Sequence, residues 1–389
     1  MISVYVIQVI LILFFGFLFR GDKKKFLTAA FIILFIVMAF RHARMVGVDA
    51  SSSYFDIFHE VKDLELKWPN PGLTLVMKVI HLFNGDYQWV IVISSTMVCF
   101  SFYRLLVKYS VNGFISVMWF MGMLFYTNLF TILKQAWAMA FLCFAFEAII
   151  EKKPFRFLFF VGLAVVFHFP ALVFLPAFWI AKLRINRTFP ILMFSLFVIV
   201  FIFRDHLLML MDSAYTKGES VYSSGARFIG TKVIFMIIML AYGFYQYFNN
   251  KDIVGLEANA FSALLYFMGF ATIIQTFCYY SNNFERLADY YFQFSILYVP
   301  LILSRNYSET SLINKTDSSH QKGIMSSGDT LSKKRISNYS IEDIDINTVL
   351  VVAITVFCVW RYISNMVNDI YFSPYYFFWQ NVNISMRFR

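Results

Sequence analysis

Long apolar runs alternate with short polar connectors along nearly the whole 389-residue chain. A helix needs about 20 residues, at roughly 1.5 Å each, to cross the hydrocarbon layer of a membrane. On that measure the pattern predicts spans near 2–19, 26–40, 87–103, 113–131 and 135–150. It predicts further spans near 188–203, 231–248, 259–279, 287–303 and 347–364, about ten in all. The runs are continuous rather than alternating, which excludes a β-barrel and favours helices that satisfy their own backbone groups in lipid.

Residues 151–187 do not fit the pattern simply. The apolar stretch 157–181 is long enough to cross once, yet Lys152, Lys153 and Arg156 precede it and Lys182, Arg184 and Arg187 follow it. A single crossing would put one basic cluster outside. A re-entrant hairpin turning at His168, Phe169 and Pro170 keeps both clusters cytoplasmic, as the positive-inside bias favours. Proline also removes a backbone donor and disfavours helix in the residue before it, so the hairpin is the preferred reading.

Composition agrees with a lipid environment. The chain is 60% apolar, 20% aromatic and only 14% charged, well below the charged share of soluble domains. The net charge of +10 is explained by Lys and Arg in short cytoplasmic loops rather than by nucleic acid. Cys99, Cys143, Cys278 and Cys358 all fall in apolar runs, without zinc spacing or an evident disulfide partner. The first run lacks a basic leader and precedes Arg20, Lys23, Lys24 and Lys25, which places the amino terminus outside. The expected class is an all-α polytopic membrane protein. Residues 1–303 form its core, with external loops near 41–86 and 204–230. A polar stretch, 304–346, reads as a disordered cytoplasmic loop, and 347–389 as a last helix with an aromatic external tail.

With that topology four polar groups share the external face. They are the stretch from Arg41 to Asp56, the pair Lys134–Gln135, the loop from Arg204 to Arg227, and the stretch from Asn282 to Tyr291. His168 approaches them from within the membrane. Each member has an ordinary explanation: arginines at span ends snorkel, a histidine can satisfy a kinked backbone, and Asp289 can pair with Arg286 one turn away. Together they suit a phosphate-bearing lipid head group held by cations, sugar rings on aromatics, and a carboxylate or imidazole that activates a hydroxyl. No Walker motif, DxD-like pair or HExxH is present, so ATP hydrolysis and metalloprotease chemistry are unsupported.

Arg44, Val46, Gly47, Asp49 and Tyr54 after the second span resemble the signature of the EpsG family of Wzy-like bacterial polysaccharide polymerases. Three later places agree in order: Leu133-Lys-Gln-Ala-Trp-Ala138, Phe167-His-Phe-Pro-Ala-Leu172 and Arg286-Leu-Ala-Asp-Tyr-Tyr291. Lys134 departs from the family's arginine, keeping the charge and losing the bidentate fork. Pro170 stands where a serine is common, and the Asp49–Tyr54 gap is one residue longer than usual.

The resemblance implies a fold of GT-C/Wzy-like character in the bacterial cytoplasmic membrane. It implies an inverting glycosyl transfer that uses no metal or other cofactor. A glycan on undecaprenyl diphosphate would move onto a lipid-linked repeat, for capsule, exopolysaccharide or O-antigen. Arg44, Arg286 and Lys134 are the expected diphosphate clamp, with Arg41 and Arg227 in reserve. His168 is the first candidate base and Asp49 the second, although Asp49 could instead pair with an arginine and shape the loop. Tyr54, Gln135 and Tyr290 are expected to face the glycan. The expected partners are the lipid-linked oligosaccharide, membrane lipid and a chain-length regulator, and not nucleic acid. The rival functions are a lipid-linked oligosaccharide flippase and another lipid-sugar transferase or ligase.

Overall fold

The computed structural model describes residues 3–51, 53–60, 70–183, 185–186, 188–215, 230–249, 256–279, 283–303, 346–369 and 372–380. Among them the secondary structure is helical, with a single isolated β-bridge between Arg41 and Phe377. The loop expected over 304–346 lies almost wholly outside the described residues, as do Arg227 and Asn282.

Helices α1 (Val4–Leu18) and α2 (Lys23–Ala39) are joined by a tight turn, and each begins at a side-chain cap. Ser3 accepts from the Tyr5 amide, and Asp22 accepts from the Lys25 amide at 3.0 Å. Three short helices follow, α3 (Val48–Ser51), α4 (Ser53–Glu60) and α5 (Pro71–Leu82), the last opening on a proline that needs no amide partner there. Next come α6 (Tyr87–Tyr109), α7 (Gly113–Gly122), α8 (Phe125–Thr131) and α9 (Leu133–Ile150). The α7–α8 pair bends by 52°, at Leu124 with a positive φ of 64°.

Helix α10 (Pro154–Phe167) ends where His168 takes an extended backbone, and Pro170 sits in the 3-10 stretch Phe169–Phe174 before α11 (Ala177–Ile180). Phe178 then packs on Phe157 with ring centroids 5.3 Å apart, so the chain doubles back instead of continuing. That is the hairpin the basic flanks favoured. The tip is held from inside, because Trp137 stacks on Phe167 at 4.6 Å. The remaining helices are α12 (Phe189–Tyr215), α13 (Gly230–Asn249), α14 (Leu256–Gln275), α15 (Asn283–Phe292), α16 (Ser295–Leu303) and α17 (Ile346–Asn368).

Five described helices are long and apolar enough to cross a membrane: Tyr87–Tyr109, Leu133–Ile150, Phe189–Leu207, Ala260–Tyr279 and Val349–Asn368. Counting the bent α7–α8 pair gives six. The expected ten are therefore met only in part, for two physical reasons. Helix α1, helix α2 and the apolar part of α13, Lys232–Phe248, have 15, 17 and 17 residues, about 23–26 Å, which is shorter than the hydrocarbon layer. The apolar run 287–303 divides into α15 and α16 at Gln293 and Phe294.

Two ends of the bundle are fixed by polar contacts. At one end Glu147, 1% exposed, accepts from Arg104 at 2.8 and 3.1 Å and from Lys108 at 3.2 Å. Lys108 also reaches Glu151 at 2.8 Å, and Arg156 reaches Glu151 at 2.7 Å. These pairs hold the last turns of α6 and α9 level with the first turn of α10, and Lys23 adds α2 by donating to the Ser110 carbonyl at 2.8 Å. At the opposite end residues 372–380 lie across the exit of α2. His42 donates to the Tyr376 carbonyl at 2.7 Å, and Phe378 donates to the Phe40 carbonyl at 3.0 Å. Inside, Gln8 explains itself as a satisfied core amide: it donates to Tyr126 at 3.1 Å and accepts from Tyr362.

A candidate active site at the exit of α2

The turn that leaves α2 is built on two immobile groups. Arg41 is fully buried and points inward, donating to the Met38 carbonyl and, at 2.7 Å, to the Phe130 carbonyl of α8, with its guanidinium 4.7 Å over the Phe130 ring. Gly47 turns the chain with φ +97°, and a Cβ there would stand 3.1 Å from that same Phe130 carbonyl oxygen. One backbone carbonyl thus holds the buried Arg41 and packs against the glycine of the signature. Past the turn, Arg44 lies over the Phe55 ring at 4.4 Å, and Tyr87 bonds the Ala50 carbonyl and holds α3 down.

Onto this turn come side chains from far along the sequence. Lys134, at the start of α9, is half-buried with its ammonium 5.8 Å from the centre of the Tyr54 ring. The next residue, Gln135, is buried and donates to the Arg286 carbonyl at 2.9 Å, tying α9 to the first turn of α15. His168, at the hairpin tip, shares a short hydrogen bond between Nδ1 and the Tyr290 hydroxyl. The tip is set by Asn70, whose side chain accepts from the Phe169 amide at 2.6 Å, and by Tyr291, which donates to the Val173 carbonyl at 2.8 Å.

Electrostatics knit the group together. Burial and then the Asp49 carboxylate push the Tyr54 phenol up to about 12, while the Lys134 amide and the Arg286 charge pull it back. His168 lies within the electrostatic reach of both Arg286 and Lys134. Arg286 itself is exposed, presenting its guanidinium at the mouth of this cluster. Beside Gln135 a cavity of about 10 Å³, lined in part by Asn128 and Asp289, is about the size of one water molecule.

Of the residues singled out from sequence, Asp49, Tyr54, Lys134, Gln135, His168, Arg286 and Tyr290 come together here. Arg44 stands on the same turn, one residue from Tyr54 through its contact with Phe55. Arg41 is elsewhere, enclosed and bonded to carbonyls. Arg227 lies outside the described residues.

Asp289 does not take the partner its spacing suggested. It pairs with Lys232 of α13 at 3.1 Å, and Lys232 also binds the half-exposed Glu285 at 2.8 Å, so an ion triad centred on the buried Asp289 anchors the helix that carries Arg286. Sequence reasoning passed over Lys232. Its signal was a lone lysine at the head of the apolar run 231–248, opposite an acid in a neighbouring span. Among the described residues no group of three His, Cys, Asp or Glu is placed to hold a metal ion.

Neither a curated protein nor a solved structure matches the chain significantly. The EpsG family model does match, over residues 24–315, a range that takes in most of the chain and every residue of the cluster. The residues that meet at the exit of α2 therefore lie on a common family framework, and the chain belongs to the EpsG family.

Proposed function

We propose that the chain is a polysaccharide polymerase of the bacterial cytoplasmic membrane, working at the outer face on undecaprenyl-diphosphate-linked substrates. The shorter apolar helices complete about ten crossings in this reading, with the Glu147 end cytoplasmic and the α2 exit outside. The observation that carries it is the meeting of Lys134, His168 and Arg286 around Tyr54, from three separate parts of the sequence. Lone interfacial anchors have no reason to converge. Family membership supports the same class of reaction.

The chemistry follows from the charges. An acceptor hydroxyl attacks the anomeric carbon of the donor glycan, the bond from that carbon to the phosphate oxygen breaks, and configuration inverts. Negative charge grows on the departing lipid diphosphate, where Arg286 and Lys134 stand, with Arg44 next on the turn. The hydroxyl proton goes to His168 in this reading: in the tautomer that donates Nδ1–H to the Tyr290 oxygen, the other ring nitrogen carries a free lone pair. Asp49 is the second candidate base. Tyr54, Gln135 and Tyr290 frame the acceptor sugar, and a chain-length regulator is the expected protein partner.

The test is glycan length in cells carrying Arg286→Ala or Arg44→Ala. Losing one positioned cation from a developing anion should lower the rate by roughly 10²–10³-fold. Single repeats should then replace polymer at unchanged protein level. Full-length polymer from the Arg286→Ala strain would remove the clamp from this account.

A further inference from the structure

The last spanning helix, α17, lies outside the residues the family model covers, and its second half carries a polar stripe. Arg361, Ser364, Asn365 and Asn368 recur at helical spacing and so share one face. With Trp360, Asp369 and Leu124 they line a wide-open cavity of about 440 Å³, which would leave much of a ligand in contact with its surroundings. Leu124, where α7 and α8 bend, forms part of its wall.

Two of its polar groups, Arg361 and Asn365, are under-used. Among the described residues the one hydrogen bond of Arg361 goes to the Met123 thioether at 3.3 Å, a weak acceptor for a guanidinium with five donors. The Asn365 Oδ1 atom is buried without a hydrogen-bond partner. Trp360, 64% exposed, offers an indole face at the rim. Polar side chains inside a spanning helix are costly and mark a pathway or a ligand. Arg361 also acts electrostatically on Glu285 and Asp289, so the cavity backs onto the helix that presents Arg286.

We infer that this cavity is a second saccharide-binding site, taking sugar residues of the lipid-linked substrate beside the reacting cluster. The inference rests on the polymerase reading for the source of the sugar. A phosphate head group fits less well, because the single cation Arg361 is matched by the carboxylate of Asp369. Carboxamides, a hydroxyl, a guanidinium and a carboxylate around an aromatic face instead suit a ring bearing several hydroxyls, each both donor and acceptor.

The experiment places a photoreactive amino acid at position 368 of the full-length protein in its own cell membrane and identifies what is captured after illumination. The expected adduct carries the sugars of the cell's polymer. One-repeat adducts assign the site to the incoming lipid-linked unit, and a ladder of sizes assigns it to the growing chain. Asn365→Leu and Trp360→Leu should each cut the captured glycan about ten-fold at unchanged protein level. Capture should persist in the Arg286→Ala background, which separates the two claims. Adducts of phospholipid alone would overturn the saccharide site while leaving the clamp at Arg286 standing. Glycan adducts with normal polymer in the Arg286→Ala strain would instead remove the clamp at Arg286 and leave the saccharide site.

Discussion

Replacing Gly47 by alanine should disable the site without touching a charged residue. At φ +97° a residue with a Cβ is strained by about 1–3 kcal/mol. The new methyl would also stand 3.1 Å from the Phe130 carbonyl oxygen. That oxygen cannot retreat freely, because it accepts from Arg41 at 2.7 Å and retreat would lengthen a bond to a buried guanidinium. The two effects together come to about 2–4 kcal/mol, part of it expressed as displacement of the turn that carries Arg44 and Asp49. A shift of about 1 Å in a reacting group costs roughly 10²-fold in rate.

The assay is polymer length on gels alongside the melting temperature of the purified protein in detergent. Gly21→Ala is the control, since a Cβ there meets nothing within 4 Å. Gly47→Ala should shorten the polymer and lower the melting temperature, and Gly21→Ala should do neither. Normal polymer and an unshifted transition for Gly47→Ala would refute the idea that this carbonyl locks the turn.

Three other outcomes are expected. Hydrogen bonds from Lys108 and Lys153 hold the Glu151 carboxyl down to about 2, below its ordinary value near 4.3, so its contribution to stability is full above that ordinary value and fades as the pH falls toward 2. Wild type should therefore lose more stability than Glu151→Gln between pH 6 and pH 3, and equal losses would count against the pairing. Cysteines introduced at Lys134 and at Lys153 should behave oppositely in intact cells: an impermeant reagent should label the first from outside and the second only after lysis. The four native cysteines are buried and give a low background. Lys232→Met should be strongly destabilising, by about 3–5 kcal/mol, because it strands the buried Asp289 carboxylate. Adding Glu285→Gln and Asp289→Leu should restore much of the loss, and a triple variant as unstable as the single one would show that packing of Lys232 matters more than its charge.

Much of this was legible from the apolar pattern, because a helix in lipid has no other way to satisfy its backbone. The hairpin could be read from basic flanks and Pro170. Breaks without proline or a charge could not: the bend at Leu124 and the division at Gln293 and Phe294 depend on neighbours that no local pattern encodes. Charge alone also could not say which way an arginine points. Arg41 and Arg44 stand three positions apart in the same turn, yet one is spent on carbonyls and the other lies beside the site. Lys232 was invisible for a related reason, since its meaning depends on Asp289 from another helix.

The bridge between Arg41 and Phe377 has a bearing on how the molecule matures. The segment that braces the signature turn is translated hundreds of residues after it, so during synthesis the amide of His42 and the carbonyl of Phe40 wait without their eventual mates. Bracing of the signature turn is thus a late event, completed when the tail arrives.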